Sequence, residues 1–249
     1  MGTETAQADE GRTVSASHRT IIFQHLGVAL ITIFLIYLAL LGHRQWSADM
    51  RFWRAIGDAS FILLSMALAI GPLVELRREA TSLLKWRRPL GIWFALTATI
   101  HGYLVWDGWA RWSVRRFLGF EDLSAVGIEE LVLTDPGFGL ANLIGAVALI
   151  LALVLAAISS DRAMQALGYQ QWKYVQRLAY VIFYLVGLHA AYFIFLHYEL
   201  SLRNLVFQNP PPPDPNWFRF YFVGLVAIVL VLQWSAFAKR VVKHRQAHG

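Results

Sequence analysis

Six apolar runs, separated by short segments that carry nearly all the charge, set the pattern of this chain. A helix needs about 20 mostly apolar residues to cross a bilayer. The pattern predicts such helices over about Thr20–Leu41, Phe52–Leu76, Leu90–Trp106, Phe138–Ile158, Trp172–Tyr198 and Trp217–Phe237. Gly71-Pro72 is expected to kink or end the second run, and Pro89 sits where a first helical turn tolerates it. Residues 107–136 mix Trp109, Trp112, Phe117 and Phe120 with charges of both signs, which predicts an interfacial, partly helical connection. Pro210 to Pro213 and Asp214-Pro215 make 199–216 a stiff outer connector. A polar segment, 1–19, and a basic tail, 239–249, flank a transmembrane domain spanning 20–238. The first apolar run is too long for a signal-peptide core and lacks a small-residue cleavage site, so it is expected to stay as a helix. The fold class is all-α: an integral membrane six-helix transmembrane bundle.

An even number of crossings puts both termini on one side. Fourteen of the 22 Lys and Arg residues fall with the termini and the 2–3 and 4–5 connections, against eight opposite. The positive-inside rule then makes both termini cytoplasmic, in a multi-pass protein of the inner (cytoplasmic) membrane.

Composition narrows the chemistry. With 57% hydrophobic and 15% charged residues, the chain lies outside the range of soluble domains. The absence of cysteine excludes disulfides, cysteine-ligated iron–sulfur clusters and the thioether attachment of c-type heme. A net charge of +6 is placed where topology needs it, which argues against nucleic acid as a partner.

Two histidines lie inside apolar runs. Helices 3 and 5 both start at the cytoplasmic face. At about 1.5 Å per residue, His101 lies about 20 Å above Arg88, and His189 about 18 Å above Arg177. An imidazole buried in a membrane helix needs a partner or a polar cavity, and its neutral form offers a nitrogen to a metal. Two rings at one depth fit a heme iron between two helices. They also fit histidines that merely hydrogen-bond neighbouring helices. Gly102, Gly187, Ala190 and Ala191 are small enough to leave room for a macrocycle. His43 and His197, nearer the outer surface, read as solvent-facing or interfacial.

Arg87-Arg88-Pro89-Leu90-Gly91-Ile92-Trp93 followed by His101, and Leu167-Gly168, Trp172 and Arg177-Leu178-Ala179-Tyr180 followed by His189, resemble the ferric-reductase-like transmembrane domain family. Within it they are most similar to the branch of MsrQ (YedZ), heme-binding membrane subunits of the bacterial periplasmic methionine-sulfoxide reductase system. The resemblance implies that His101 and His189 are axial ligands of heme iron. It departs at Gln176, where many relatives carry a histidine, so one heme b rather than two is expected. It departs again at Thr134-Asp135-Pro136-Gly137, where that branch has an Arg-Pro-Tyr motif.

With both axial positions filled by imidazole, iron transfers electrons rather than binding oxygen. The chain has no Gly-x-Gly-x-x-Gly fingerprint for a nicotinamide domain, so the expectation is an electron-transfer subunit, not a complete oxidoreductase. Its donor would be a cytoplasmic flavin reductase or the quinone pool. Its acceptor would be an extracytoplasmic oxidoreductase. His25, Gln24 and Gln176, close to the cytoplasmic interface, are candidates for a quinone or flavin (FMN) site. Two other classes compete: a heme-free transporter or proton relay using the same histidines, and a scaffold that docks a partner through 107–136.

Overall fold

The computed structural model of the chain describes residues 2–122, 131–197 and 216–248. Most of the expected connector 199–216, Tyr198 and the centre of the interfacial segment, 123–130, lie outside the described residues.

Helix α1 (Gly2–Gly42) leads into α2 (Ala48–Leu76), whose start is capped by Ser47, Oγ accepting from Met50 N at 3.4 Å. A 3₁₀ segment, Arg78–Leu83, precedes α3 (Leu84–Leu104), which runs into a π-helical turn, Val105–Trp109. Next come α4 (Val114–Phe117) and two short antiparallel strands, β1 (Phe120–Asp122) and β2 (Leu131–Leu133), with Phe120 opposite Leu133. Helix α5 (Phe138–Ala157) is followed by α6 (Asp161–Leu167), α7 (Tyr169–Val175) and α8 (Leu178–Ala191). A second π-helical turn, Tyr192–Leu196, follows α8, and α9 (Phe218–His248) closes the described chain.

Among the described residues, five helical stretches are long and apolar enough to cross a membrane: Arg19–Gly42, Ala48–Leu76, Phe138–Ala157, Tyr169–Leu196 and Phe218–Ala247. The protein is an all-α membrane protein. The sixth expected span, α3, is not among them, because Lys85, Arg87 and Arg88 occupy its first turns and Thr97, Thr99 and His101 dilute the rest. It nonetheless packs against α2 more extensively than any other pair of helices.

Two prolines lie inside helices. Pro72 does not end α2, which continues to Leu76 and closes with Arg77 N on Leu73 O. Pro89 lies in the second turn of α3, not the first, since the helix begins at Leu84. The helices also reach further than hydropathy marks, α1 back to Gly2 and α9 on to His248, because helix propensity continues where apolar character stops.

Helix α2 is central. Over half (56%) of its apolar window is buried, against 17% for the spans at either end of the chain. Phe61 packs on Phe183, Phe218 and Phe222 from α8 and α9, with ring centroids 5.7, 6.4 and 5.0 Å away. Phe23 on α1 and Phe220 and Trp234 on α9 point outward, as lipid solvent allows.

Candidate functional site

His101 and His189 come together. Their ring centroids are 6.4 Å apart with planes at 80°. Each ring is fixed by a carbonyl from a different helix: His101 Nδ1 lies 3.0 Å from the Trp53 carbonyl on α2, and His189 Nδ1 lies 2.8 Å from the Ala141 carbonyl on α5. A carbonyl only accepts, so both Nδ1 atoms carry the proton and both Nε2 atoms keep a lone pair. This is the arrangement that orients a metal-binding imidazole and sets its tautomer.

Two glycines make room for the rings. A Cβ on Gly57 would sit 3.1 Å from His101 Cε1, and one on Gly145 would sit 2.7 Å from His189 Nδ1. Of the small residues flagged from sequence, Gly102 and Ala190 line the cavity beside the histidines, whereas Gly187 and Ala191 do not, and Gly187 has nothing within 4 Å. Gly57 and Gly145 escaped notice because they lie on other helices and meet the histidines only in the fold.

The pair lines a largely apolar cavity of about 640 Å³ bounded by Phe61, Phe94, Trp106, Trp109, Phe138 and Phe193, among others. Both π-helical turns border it, each starting three or four residues after a histidine. Such turns concentrate at functional sites. Below the cavity floor, Phe61 stacks on Phe183, and Leu63, Leu64, Leu68 and Ile182 continue a closed core.

The cavity rim at the end of the bundle away from Lys243 corrects the reading of His43 and His197. His43 is fully buried, with Nε2 2.7 Å from Asp58 Oδ2, and Asp58 lines the cavity. His197 is 7% exposed and faces the buried Asp135 at 3.9 Å. The signal was present: Asp58 is a lone carboxylate in the apolar stretch of helix 2, and such a group requires a partner. Arg54, its guanidinium 4.3 Å from the Trp46 ring centre, supplies a cation to the same rim. Tyr192 donates to the Pro136 carbonyl at 2.7 Å, and its ring packs against Gly137, whose φ of +84° suits glycine.

The three residues proposed for the inner site make separate contacts. His25, half-buried, accepts from Trp93 Nε1 at 3.3 Å on α3, and Gln24 is likewise half-buried. Gln176, between α7 and α8, donates to Ser159 Oγ at 3.4 Å, beside the Trp172 Nε1 bond to the Ile158 carbonyl.

The 6.4 Å separation suits two imidazoles sharing one metal ion, since two metal–nitrogen bonds of about 2 Å each, plus the ring radius on either side, would separate their centroids by about 6 Å. Residues 56–187, more than half of the 249, match the family model for the ferric reductase like transmembrane component. The matched region holds Gly57, His101 and Gly145 and ends two residues before His189. No curated protein matches the chain.

Proposed function

The chain belongs to the family of ferric reductase like transmembrane components, and on that premise we propose that it is a b-type heme electron-transfer subunit of the cytoplasmic membrane. The observation that carries the reading is the His101–His189 pair, both Nδ1 atoms held on backbone carbonyls and the rings 6.4 Å apart beside a cavity of about 640 Å³. His101 and His189 would hold the iron through their Nε2 atoms. Gly57 and Gly145 keep the space in which the rings stand, and the cavity walls are largely apolar. Arg54, which lines the cavity, is the cation that would pair with the heme carboxylates. When bound, the heme supplies a one-electron carrier without an open coordination site.

One heme is the expected complement, because the core beneath the cavity is filled by Phe61, Leu64, Leu68 and Phe183, and Gln176 bonds Ser159. Both termini lie in the cytoplasm, with α3 completing six crossings. Electrons enter from a cytoplasmic flavin reductase or quinol, for which His25, Gln24 and Gln176 remain the inner candidates. They leave to an extracytoplasmic oxidoreductase, as in a subunit of the MsrQ kind. A proton relay through the same histidines is disfavoured, since the Nδ1 protons point at carbonyls that have none to return.

The test is the absorption spectrum of protein purified from cells supplied with heme. A split, reducible heme band is expected, lost in His101→Ala and in His189→Ala. Colourless wild-type protein would contradict the reading.

A further inference from the structure

The link between α2 and α3, residues 77–88, carries charge that the fold leaves uncommitted. At this end of the bundle Lys239 Nζ on α9 donates to the Glu75 and Leu76 carbonyls at 2.8 and 3.1 Å, and Arg240 meets Glu75 at 3.1 Å. Arg88 donates to Asp161 at 2.8 Å. These contacts tie α2 to α9 and α3 to α6, and they occupy two of the acids nearby. The side chains of Arg77, Arg78, Lys85 and Arg87 form no hydrogen bond or ion pair among the described residues, and Glu79 is the one acid in the link. Four cations therefore stand against one carboxylate.

The link is seated on the bundle. Leu83 and Trp86 pack against the core, and a Cβ on Gly27 of α1 would sit 3.0 Å from the Trp86 ring. That seating fixes where the cations beside them stand. Arg87 is the informative one: a Cβ on Gly71 of α2 would lie 3.8 Å from its Nη1, and apart from the chain neighbours of Gly71 no other side chain comes within 4 Å of that point. Helix α2 has 29 residues, about 43 Å, against a hydrocarbon thickness of about 30 Å, so each end reaches roughly 7 Å past the hydrocarbon. Gly71 is five residues inside Leu76, about 7.5 Å along the axis, which is the level where hydrocarbon meets headgroups. The Arg87 guanidinium thus lies along α2 at phosphate depth, and the residue is exposed. A cation exposed there faces lipid, and lipid supplies its counter-charge. The positive-inside rule requires basic residues in the link, not one laid against the wall of α2. Leu84, 44% exposed, adds an apolar contact among the same cations.

We propose that this corner of the bundle binds one anionic phospholipid, its phosphate held by Arg87 beside Gly71, with Arg77, Arg78 and Lys85 supplying the surrounding positive field. The planar guanidinium fork pairs with two phosphate oxygens at once, which a diffuse basic surface does not. The site needs no heme and is independent of the electron-transfer reading.

The test titrates the full chain, purified and delipidated in detergent, with dioleoyl phosphatidylglycerol, dioleoyl phosphatidylcholine or inorganic phosphate, and counts bound molecules by native mass spectrometry. One saturable phosphatidylglycerol per chain is expected, bound about tenfold or more tightly than phosphatidylcholine and not displaced by inorganic phosphate. Arg87→Gln is expected to weaken it about tenfold, while Arg115→Gln on α4 leaves it unchanged. Arg87 is exposed and unbonded, so the variant should keep its fold, which equal thermal unfolding checks. Glu79→Gln combined with Arg87→Gln restores the net charge of the link without restoring the fork, and the same tenfold loss is expected. Equal affinity for the two lipids, wild-type affinity in Arg87→Gln, or recovery in the double variant would overturn the site in favour of diffuse charge. Displacement by an equal concentration of inorganic phosphate would overturn the lipid as its occupant.

Discussion

His101 and His189 are held in place by atoms that no side-chain substitution removes, the carbonyls of Trp53 and Ala141. What substitution can change is the space around them. Gly145→Val places carbon where His189 Nδ1 now stands, so it is expected to lower heme retention about 10- to 100-fold, the range found for groups that orient metal ligands. Gly187→Ala, with nothing within 4 Å, is the matched control and should retain full heme absorbance. Equal pigment in the two variants would show that the glycine cradle is irrelevant. The buried His43–Asp58 pair makes a separate prediction. Either single replacement, His43→Leu or Asp58→Leu, leaves a buried polar partner unsatisfied at a cost of about 1–3 kcal/mol, whereas the double replacement should recover part of the loss. Thermal unfolding of the four proteins measures this, and strictly additive losses would mean the pair is not coupled.

Among the elements, the π-helical turn after α8 is tied to the start of α5 by the Tyr192 hydroxyl on the Pro136 carbonyl. Tyr192→Phe removes that bond alone. It is expected to cost about 0.5–1.5 kcal/mol of stability without shifting the heme spectrum, and a spectral change would mean the turn positions His189 more directly. Helices α2, α5 and the long apolar parts of α1 and α9 were legible in the sequence because a bilayer demands about 20 apolar residues in a row. The break between α7 and α8 at Gln176 was not, since hydropathy does not register a lapse of helical hydrogen bonding. Nor was the true start of α3, because Pro89 is tolerated in its second turn. The two histidines were legible as polar outliers in apolar runs, whereas Gly57, Gly145 and the Asp58 contact depend on which helices become neighbours. That information is tertiary.

For the whole molecule, six crossings are proposed, although among the described residues five stretches are apolar enough to mark themselves as spans. The chain contains no cysteine, so a single introduced thiol reports its own side of the membrane. Arg44→Cys is expected to react with a membrane-impermeant maleimide from outside, and Lys243→Cys only after permeabilisation; the reverse pattern would invert the topology. Above orientation stands the number of hemes. Below the cavity the bundle is a continuous core of Leu64, Leu68 and Phe183, and among the described residues His101 and His189 are the two imidazoles that face each other. The most direct test is therefore iron and heme per polypeptide in purified, heme-replete protein. One of each is the predicted result, and none, or two, would contradict the account.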